Sequence, residues 1–141
     1  EVEIVYPVHL NPNVQTPVNK LLANESNIKL IQPLNYEAFI WMMNKSYIII
    51  TDSSGVQEEA PSLGKPVLVM RDITERPEAV DAGTVILVGT NQLKITETAC
   101  KLLDDAEYYI QMSGKHNPYG DGLASDRIVK ILNEEKVIEY A

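Results

Sequence analysis

The chain has 141 residues, of which 45% are apolar and 23% charged, and its net charge is −8. This length suits one domain with a buried core, and no run approaches the roughly 20 apolar residues that a membrane span requires. The acidic balance argues against a nucleic-acid surface, and the single cysteine, Cys100, excludes a disulfide within the chain. We therefore expect a cytoplasmic protein that binds neither nucleic acid nor a membrane.

Short apolar runs alternate with segments of helical period, which is the pattern of repeated βα units and a parallel sheet. The predicted strands are residues 2–6, 28–31, 47–51, 67–70 and 84–88. The predicted helices are residues 17–23, 36–44, 55–63, 77–82, 91–104, 107–112 and 124–135. These elements predict one α/β domain over residues 1–141, with a Rossmann-like parallel sheet of five strands flanked by helices.

Ligands of open parallel sheets bind at the carboxyl ends of the strands. Four loops are predicted there, namely residues 7–12, 32–35, 52–55 and 71–76. The third loop is the most informative, because small residues (Ser53, Ser54 and Gly55) separate a buried strand from a helix. The backbone is uncrowded there, and unpaired N–H groups and the helix dipole favour an anion, for which phosphate is the best candidate.

Several polar residues beside this turn are candidates for binding. Glu59 lies about one turn beyond it, where a carboxylate can accept hydrogen bonds from both hydroxyls of a ribose. For Glu58, favourable placement near the helix dipole is the simpler interpretation. Asp52 is predicted to cap the helix rather than to act in catalysis. Lys65, Arg71 and Arg76 follow closely in the chain, and each is either a surface charge or an anion ligand.

Two further candidates come from the first two ligand loops. His9 stands between Pro7 and Pro12, and a histidine held rigidly at the ligand edge is a candidate donor to phosphate or sugar. Phe39 follows the second loop and is a candidate for the edge of a base pocket. The two histidines, His9 and His116, are not at metal-ligand spacing, so no metal site and no cofactor are expected.

Five ordered motifs are distributed over essentially the whole chain: PVHLNP from Pro7, DSSGVQEEAP from Asp52, GKPVLVMRD from Gly64, TERPEA from Thr74 and NPYGDG from Asn117. Together they resemble one family, the non-hydrolysing UDP-N-acetylglucosamine 2-epimerases. The resemblance implies a two-domain, glycosyltransferase-B-like fold with its active site in the cleft. This chain resembles its C-terminal, nucleotide-binding domain, and the lack of an initiator Met agrees with a segment of a longer protein.

The resemblance also implies a reaction and roles for particular residues. UDP-N-acetylglucosamine and UDP-N-acetylmannosamine interconvert in two stages: UDP is eliminated to leave an enzyme-held glycal, and UDP then adds back with C2 inverted. The product is expected to supply the synthesis of a cell-envelope polysaccharide. Ser53, Ser54 and Gly55 then hold the diphosphate, and Arg76 reaches it. Glu59 binds the ribose. Phe39 lines the uracil pocket, and His9 faces the interdomain cleft, where a second substrate molecule binds as an activator in some members.

Two departures from the family limit what this chain can do by itself. The family commonly has glycine where Ser54 stands, so the turn either tolerates a hydroxymethyl group or uses its hydroxyl as an additional donor. The catalytic carboxylates that move protons at C2 belong to the N-terminal half, which this chain lacks. We expect the isolated chain to bind UDP weakly without turnover, and the full-length protein to be a homodimer.

Two other classes of protein compete with the epimerase. A retaining glycosyltransferase of the same architecture also binds a nucleotide sugar with an equivalent half, and likeness of fold does not separate the two. A phosphoacceptor receiver domain has an aspartate after its third strand, where Asp52 stands. A receiver also needs carboxylates after its first strand to hold magnesium, whereas this chain has Tyr6, Pro7, Val8 and His9 there.

Overall fold

The computed structural model describes residues 2–133, which divide into two compact units between Met42 and Met43. The first unit holds strands β1 (Ile4–Pro7) and β2 (Ile28–Ile31), which pair in parallel with Ile4 opposite Ile28. Helix α1 (Pro12–Leu22) connects them and packs on β2. Helix α2 (Tyr36–Lys45) follows β2 and ends in the second unit.

Helix α1 begins five residues before the predicted start at residue 17. Asn11 is its N-cap, and the Asn11 side chain accepts a hydrogen bond from the Asn13 amide at 2.9 Å. Pro12 occupies the first helical position, where a missing N–H costs nothing, and Pro17 lies inside the helix. The predicted start was wrong because the helix begins at Pro12 and not at Pro17.

The second unit holds a three-stranded parallel sheet in the order β3 (Ile49–Thr51), β4 (Val67–Val69), β5 (Val85–Leu87). Helix α3 (Ser54–Glu59) and a 3₁₀ turn (Ala60–Leu63) connect β3 to β4. Pro61 has no N–H to donate, and the helical segment ends at Gly64 in the left-handed conformation, with φ of 64°. The predicted helix over residues 55–63 is therefore present as two consecutive segments.

Helix α4 (Pro77–Asp81) connects β4 to β5, and three helices follow β5: α5 (Gln92–Asp104), α6 (Ala106–Ser113) and α7 (Ala124–Leu132). Residues 134 and 135 of the last predicted helix lie outside the described residues. All five predicted strands are present, and their hydrogen bonds form two parallel sheets instead of one sheet of five. The predicted α/β class, with parallel strands flanked by helices, is confirmed.

The core of the second unit lies against its central strand. Val67, Leu68 and Val69 of β4 are fully buried, as expected for a parallel strand covered on both faces. Leu68 packs in one cluster with Val88, Leu102 of α5 and Met112 of α6. This packing holds the carboxyl ends of β3 and β4, and hence the two loops that follow them, on a rigid support. Within residues 2–133, no helix has both the length and the apolarity needed to cross a bilayer.

Candidate functional site

The turn after β3 leads directly into helix α3. Ser53 is the N-cap, with φ of −80° and ψ of 132°, and its side chain makes no capping hydrogen bond. The expectation that Asp52 caps this helix is wrong, because the helix begins one residue later than that role requires. Asp52 instead contributes its carbonyl oxygen, which accepts a hydrogen bond from Arg71 Nε at 2.6 Å. The Ser53 amide donates to Thr51 Oγ1 at 3.0 Å.

Gly55 keeps the start of α3 open. Its φ is not in the left-handed region, and a Cβ built on it would meet only Ser53 Oγ, at 3.9 Å. The backbone therefore does not require glycine at this position. Gly55 is exposed at the start of the helix, and its lack of a side chain leaves room for close approach of a ligand.

A chain of hydrogen bonds joins this turn to the loop after β4. The Gln57 side chain is completely buried, and its Nε2 donates to the Ser53 carbonyl oxygen at 3.3 Å. Thr74 Oγ1 donates to Gln57 Oε1 at 2.6 Å and accepts a hydrogen bond from the Arg76 amide at 3.0 Å. The Thr74 hydroxyl therefore holds the two loops together at the carboxyl ends of β3 and β4.

Two of the three cations singled out in the sequence are paired with acidic residues. Arg76 Nε donates to the Glu58 carboxylate, and its Nη1 donates to the Glu75 carbonyl oxygen at 3.1 Å. The hydrogen bond and charge of Glu58 raise the pKa of the Arg76 guanidinium. Arg71 forms an ion pair with Glu75 at 3.3 Å. Glu58 thus holds Arg76 beside helix α3, a contact that helix placement alone did not predict.

Glu59 contrasts with its neighbour in the chain. Its side chain is half-buried, and it makes no hydrogen bond or ion pair with any residue in the described range. A half-buried carboxylate keeps four lone-pair positions for a ligand that carries hydroxyl groups. The geometry therefore leaves Glu59, and not Glu58, ready to accept hydrogen bonds.

The loop before α7 also reaches this region. Asn117 Nδ2 donates to Ser62 Oγ at 2.6 Å, which anchors the loop on the 3₁₀ turn. Burial raises the pKa of the Tyr119 phenol, and the nearby carboxylates of Glu78 and Glu58 act in the same direction. The Tyr119 hydroxyl is buried, and the nearby backbone N–H of Ala79 opposes these effects on its pKa.

The predicted site residues divide between the two units. Ser53, Ser54, Gly55, Glu59 and Arg76 belong to the unit of residues 43–141, where the contacts above join the two loops that carry them.

His9 and Phe39 belong to the unit of residues 1–42. The exposed His9 accepts a hydrogen bond at Nδ1 from the Asn11 amide at 3.1 Å, which leaves Nε2 as the protonated nitrogen of the neutral ring. Phe39 is half-buried on α2.

Sequence reasoning missed Gln57, Thr74 and Tyr119 as parts of this region. All three stand within the recognised motifs, which was the available signal. The hydrogen bond between Thr74 and Gln57 joins residues 17 positions apart, so that no local spacing reveals it. In the described part of the chain, no group of three or more His, Cys, Asp or Glu side chains is placed to hold a metal ion.

The fold and these loops place the chain among α/β proteins that carry polar residues at the carboxyl ends of parallel strands. Residues 1–133 match the family model described as UDP-N-acetylglucosamine 2-epimerase, and the chain belongs to this family. Proteins of that name from Yersinia pestis and Campylobacter jejuni are 61% and 62% identical to it over 97% and 96% of the chain. The chain spans 36% of the length of each relative.

Solved structures agree with this assignment. The Neisseria meningitidis UDP-GlcNAc 2-epimerase bound to UDP-GlcNAc is 53% identical, with a TM-score of 0.87 over 94% of this chain and 36% of its own. The S. aureus MnaA co-structure with UDP is 48% identical, with a TM-score of 0.90 over 99% of this chain and 40% of its own. The family assignment favours the epimerase over the glycosyltransferase and the receiver domain.

Proposed function

We propose that this chain is the UDP-binding C-terminal half of an enzyme that interconverts UDP-N-acetylglucosamine and UDP-N-acetylmannosamine. The observation that carries the proposal is the arrangement around α3, where an uncapped turn of small residues is followed by a half-buried carboxylate that has no partner among residues 2–133. Relatives have been solved with UDP-GlcNAc and with UDP, which are ligands of the kind that this arrangement suits.

The diphosphate is assigned to the turn of Ser53, Ser54 and Gly55. First-turn amides of a helix have no partner four residues earlier, so they are free to donate to phosphate oxygens. The Ser54 hydroxyl adds a donor that glycine would not supply. Arg76 stands beside the helix and contributes positive charge toward the same ligand, while Glu58 fixes its position.

Glu59 is assigned to the ribose. The 2′- and 3′-hydroxyls are two neighbouring donors, and one carboxylate can accept from both. Phe39 is assigned to the edge of the uracil pocket and His9 to the interdomain cleft, each as the family resemblance implies.

The chemistry explains why the diphosphate site matters for rate. In the elimination, a base in the other half of the enzyme takes the C2 proton, and the C1–O bond breaks with its electron pair on the β-phosphate oxygen. A double bond forms between C1 and C2. Re-addition of UDP to C1, with a proton delivered to the opposite face of C2, gives the epimer. Preorganised donors at the diphosphate stabilise the negative charge that develops there.

This chain supplies the leaving-group site and not the proton-transfer groups. We therefore expect no epimerase turnover from the isolated chain, and a measurable rate from the pure segment would contradict this division of roles. We also propose that the full-length protein is cytoplasmic, since the lone Cys100 of this chain suits a reducing compartment, and that it is a homodimer, as the family resemblance implies.

The decisive experiment is calorimetry with UDP, UDP-N-acetylglucosamine and AMP on the full-length protein that carries this segment. Glu59→Ala removes a charged acceptor of ribose hydrogen bonds and should weaken UDP binding about ten- to a hundredfold, equivalent to about 1.5–3 kcal/mol. Glu97→Ala is the matched control, because Glu97 is exposed on α5. Equal UDP affinity in wild type and Glu59→Ala, or preference for AMP, would refute the assignment.

A further inference from the structure

The Gln57 side chain is an unusual component of the second unit. It is completely buried in a region where the other fully buried side chains are mainly apolar, and both ends of its amide are occupied. Burial of an amide is costly unless its hydrogen bonds are made. Neither of its hydrogen-bond partners lies in a strand or in the interior of a helix. They are the Ser53 carbonyl at the helix start and the Thr74 hydroxyl of the opposite loop.

The hydrogen bond from Gln57 to Ser53 has a geometric consequence for the proposed phosphate turn. In a trans peptide, the carbonyl of one residue and the N–H of the next point in opposite directions within one plane. The chain has no cis peptide bond in its described part. As the N-cap, Ser53 already offers its carbonyl to the first backbone hydrogen bond of α3, and the Gln57 side chain donates a second hydrogen bond to the same oxygen. Gln57 therefore adds to the constraint on the direction of the Ser54 N–H, which is the first amide of α3.

The hydrogen bonds that run from Ser53 through Gln57 and Thr74 to Arg76 are called the relay here. Its other end holds the backbone of Arg76. Thr74 Oγ1 accepts from the Arg76 amide while it donates to Gln57, so one hydroxyl joins the backbone of Arg76 to the amide that orients the turn. A second hydrogen bond joins the same two loops, from Arg71 Nε to the carbonyl oxygen of Asp52, the residue before Ser53. These hydrogen bonds consequently fix the position of the turn after β3 relative to the loop after β4.

We propose that Gln57 and Thr74 are positioning residues that align the Ser54 amide with Arg76 for the diphosphate. This inference rests on the proposed function. Neither residue is assigned a contact with the ligand, so their effect should appear in the diphosphate part of binding and be absent from the nucleoside part. That difference separates positioning from a general role in folding.

The test compares UDP with uridine by calorimetry on the full-length protein. Thr74→Val keeps the shape of the side chain and removes both hydrogen bonds of the hydroxyl. We expect UDP affinity to fall about five- to tenfold, which is the typical effect of a lost hydrogen bond, with uridine affinity unchanged within about twofold. Thr74→Ser restores the hydroxyl and should restore UDP affinity. Gln57→Met should behave like Thr74→Val.

Two variants serve as references for these measurements. Thr98→Val removes a threonine hydroxyl that donates to the Lys94 carbonyl oxygen on α5, remote from the relay in the chain, and should leave both affinities unchanged. Glu59→Ala should weaken uridine and UDP alike. If Gln57→Met does not fold, the Thr74 pair decides the question alone.

The outcomes distinguish failure of the relay from failure of the proposed function. Wild type that binds UDP, with Thr74→Val equal to it, would overturn the positioning role and leave the UDP site intact. Equal losses for uridine and UDP in Thr74→Val would also overturn it, since they would indicate a general structural effect. Wild type that binds neither ligand would overturn the proposed function and the relay with it.

Discussion

Strand β4 and the segment from Asp52 to Glu59 lie in the same unit and are built in opposite ways. In β4, every side chain is buried among apolar neighbours. In the segment after β3, the N-cap side chain makes no capping bond and a half-buried carboxylate has no partner in the described range. The first arrangement maximises stability, whereas the second leaves polar groups available for a ligand. Changes in β4 should therefore affect unfolding, and changes in the segment should affect binding.

The largest effect is expected from Leu68→Ala. Leu68 is fully buried at the centre of the core cluster, and truncation of such a leucine costs about 2–5 kcal/mol through lost burial and the resulting cavity. Urea unfolding followed by circular dichroism measures this loss. Leu93→Ala is the control, because Leu93 is 71% exposed on α5, and it should change stability by less than about 0.5 kcal/mol. A similar cost for both variants would contradict the assigned core.

Gly55→Ala should separate binding from stability most clearly. Alanine is accommodated in the free protein and is favoured over glycine in a helix by up to about 1 kcal/mol, so unfolding should become slightly harder. A methyl group inserted into a close contact with the diphosphate costs about 1–3 kcal/mol, and UDP affinity should fall accordingly. Calorimetry and urea unfolding of the same variant give both values. Unchanged affinity would show that no ligand approaches Gly55 closely.

Gly89→Ala should lower the free energy of unfolding, whereas Gly55→Ala should raise it slightly. Gly89 has φ of 61°, and a Cβ there would lie 2.5 Å from Asp72 Oδ1. The left-handed conformation alone costs an alanine about 1–2 kcal/mol, and the exposed Asp72 carboxylate must also move aside. Unfolding experiments on Gly89→Ala and on the double variant with Asp72→Ala separate the two contributions. The double variant should recover only the part due to the overlap, and full recovery would argue against backbone strain.

The smallest effect concerns pH. The Arg127 guanidinium donates to both carboxylate oxygens of Asp121 at 2.6 Å and holds the pKa of that carboxyl well below its usual range. A lowered folded-state pKa contributes stability above the unfolded value of about 3.9, and this contribution disappears as the pH falls through the folded pKa. Asp121→Asn should therefore be slightly less stable than wild type at neutral pH, with the gap closing below about pH 4.

Thermal unfolding as a function of pH measures this gap. Asp104→Asn provides the reference, because Asp104 is exposed at the end of α5 and its side chain makes no hydrogen bond or ion pair with another described residue. A gap between wild type and Asp121→Asn that widens on acidification would contradict the sign of the Asp121 effect.

Local pattern was sufficient to predict the alternation of strands and helices. Apolar runs such as Val67 to Val69 were too short for helices, and each of the five predicted strands is present. Boundaries were less well predicted where proline gave conflicting signals. Pro12 and Pro17 both lie inside α1, although either one also suits a loop. The parallel direction of the strands was predicted, but their division into two hydrogen-bonded sheets was not, because periodicity does not specify which strand edges meet.

The amino-acid sequence by itself determined the elements and the family motifs and supplied the candidate binding residues, because all of these depend on neighbours along the chain. Only the tertiary structure decided how these residues act on each other. It paired Arg76 with Glu58, left Glu59 without a partner in the described range, and placed Gln57 between Ser53 and Thr74. The reason is physical: these contacts depend on the distance between two loops, which is set by the packing of β3 and β4 and not by local sequence.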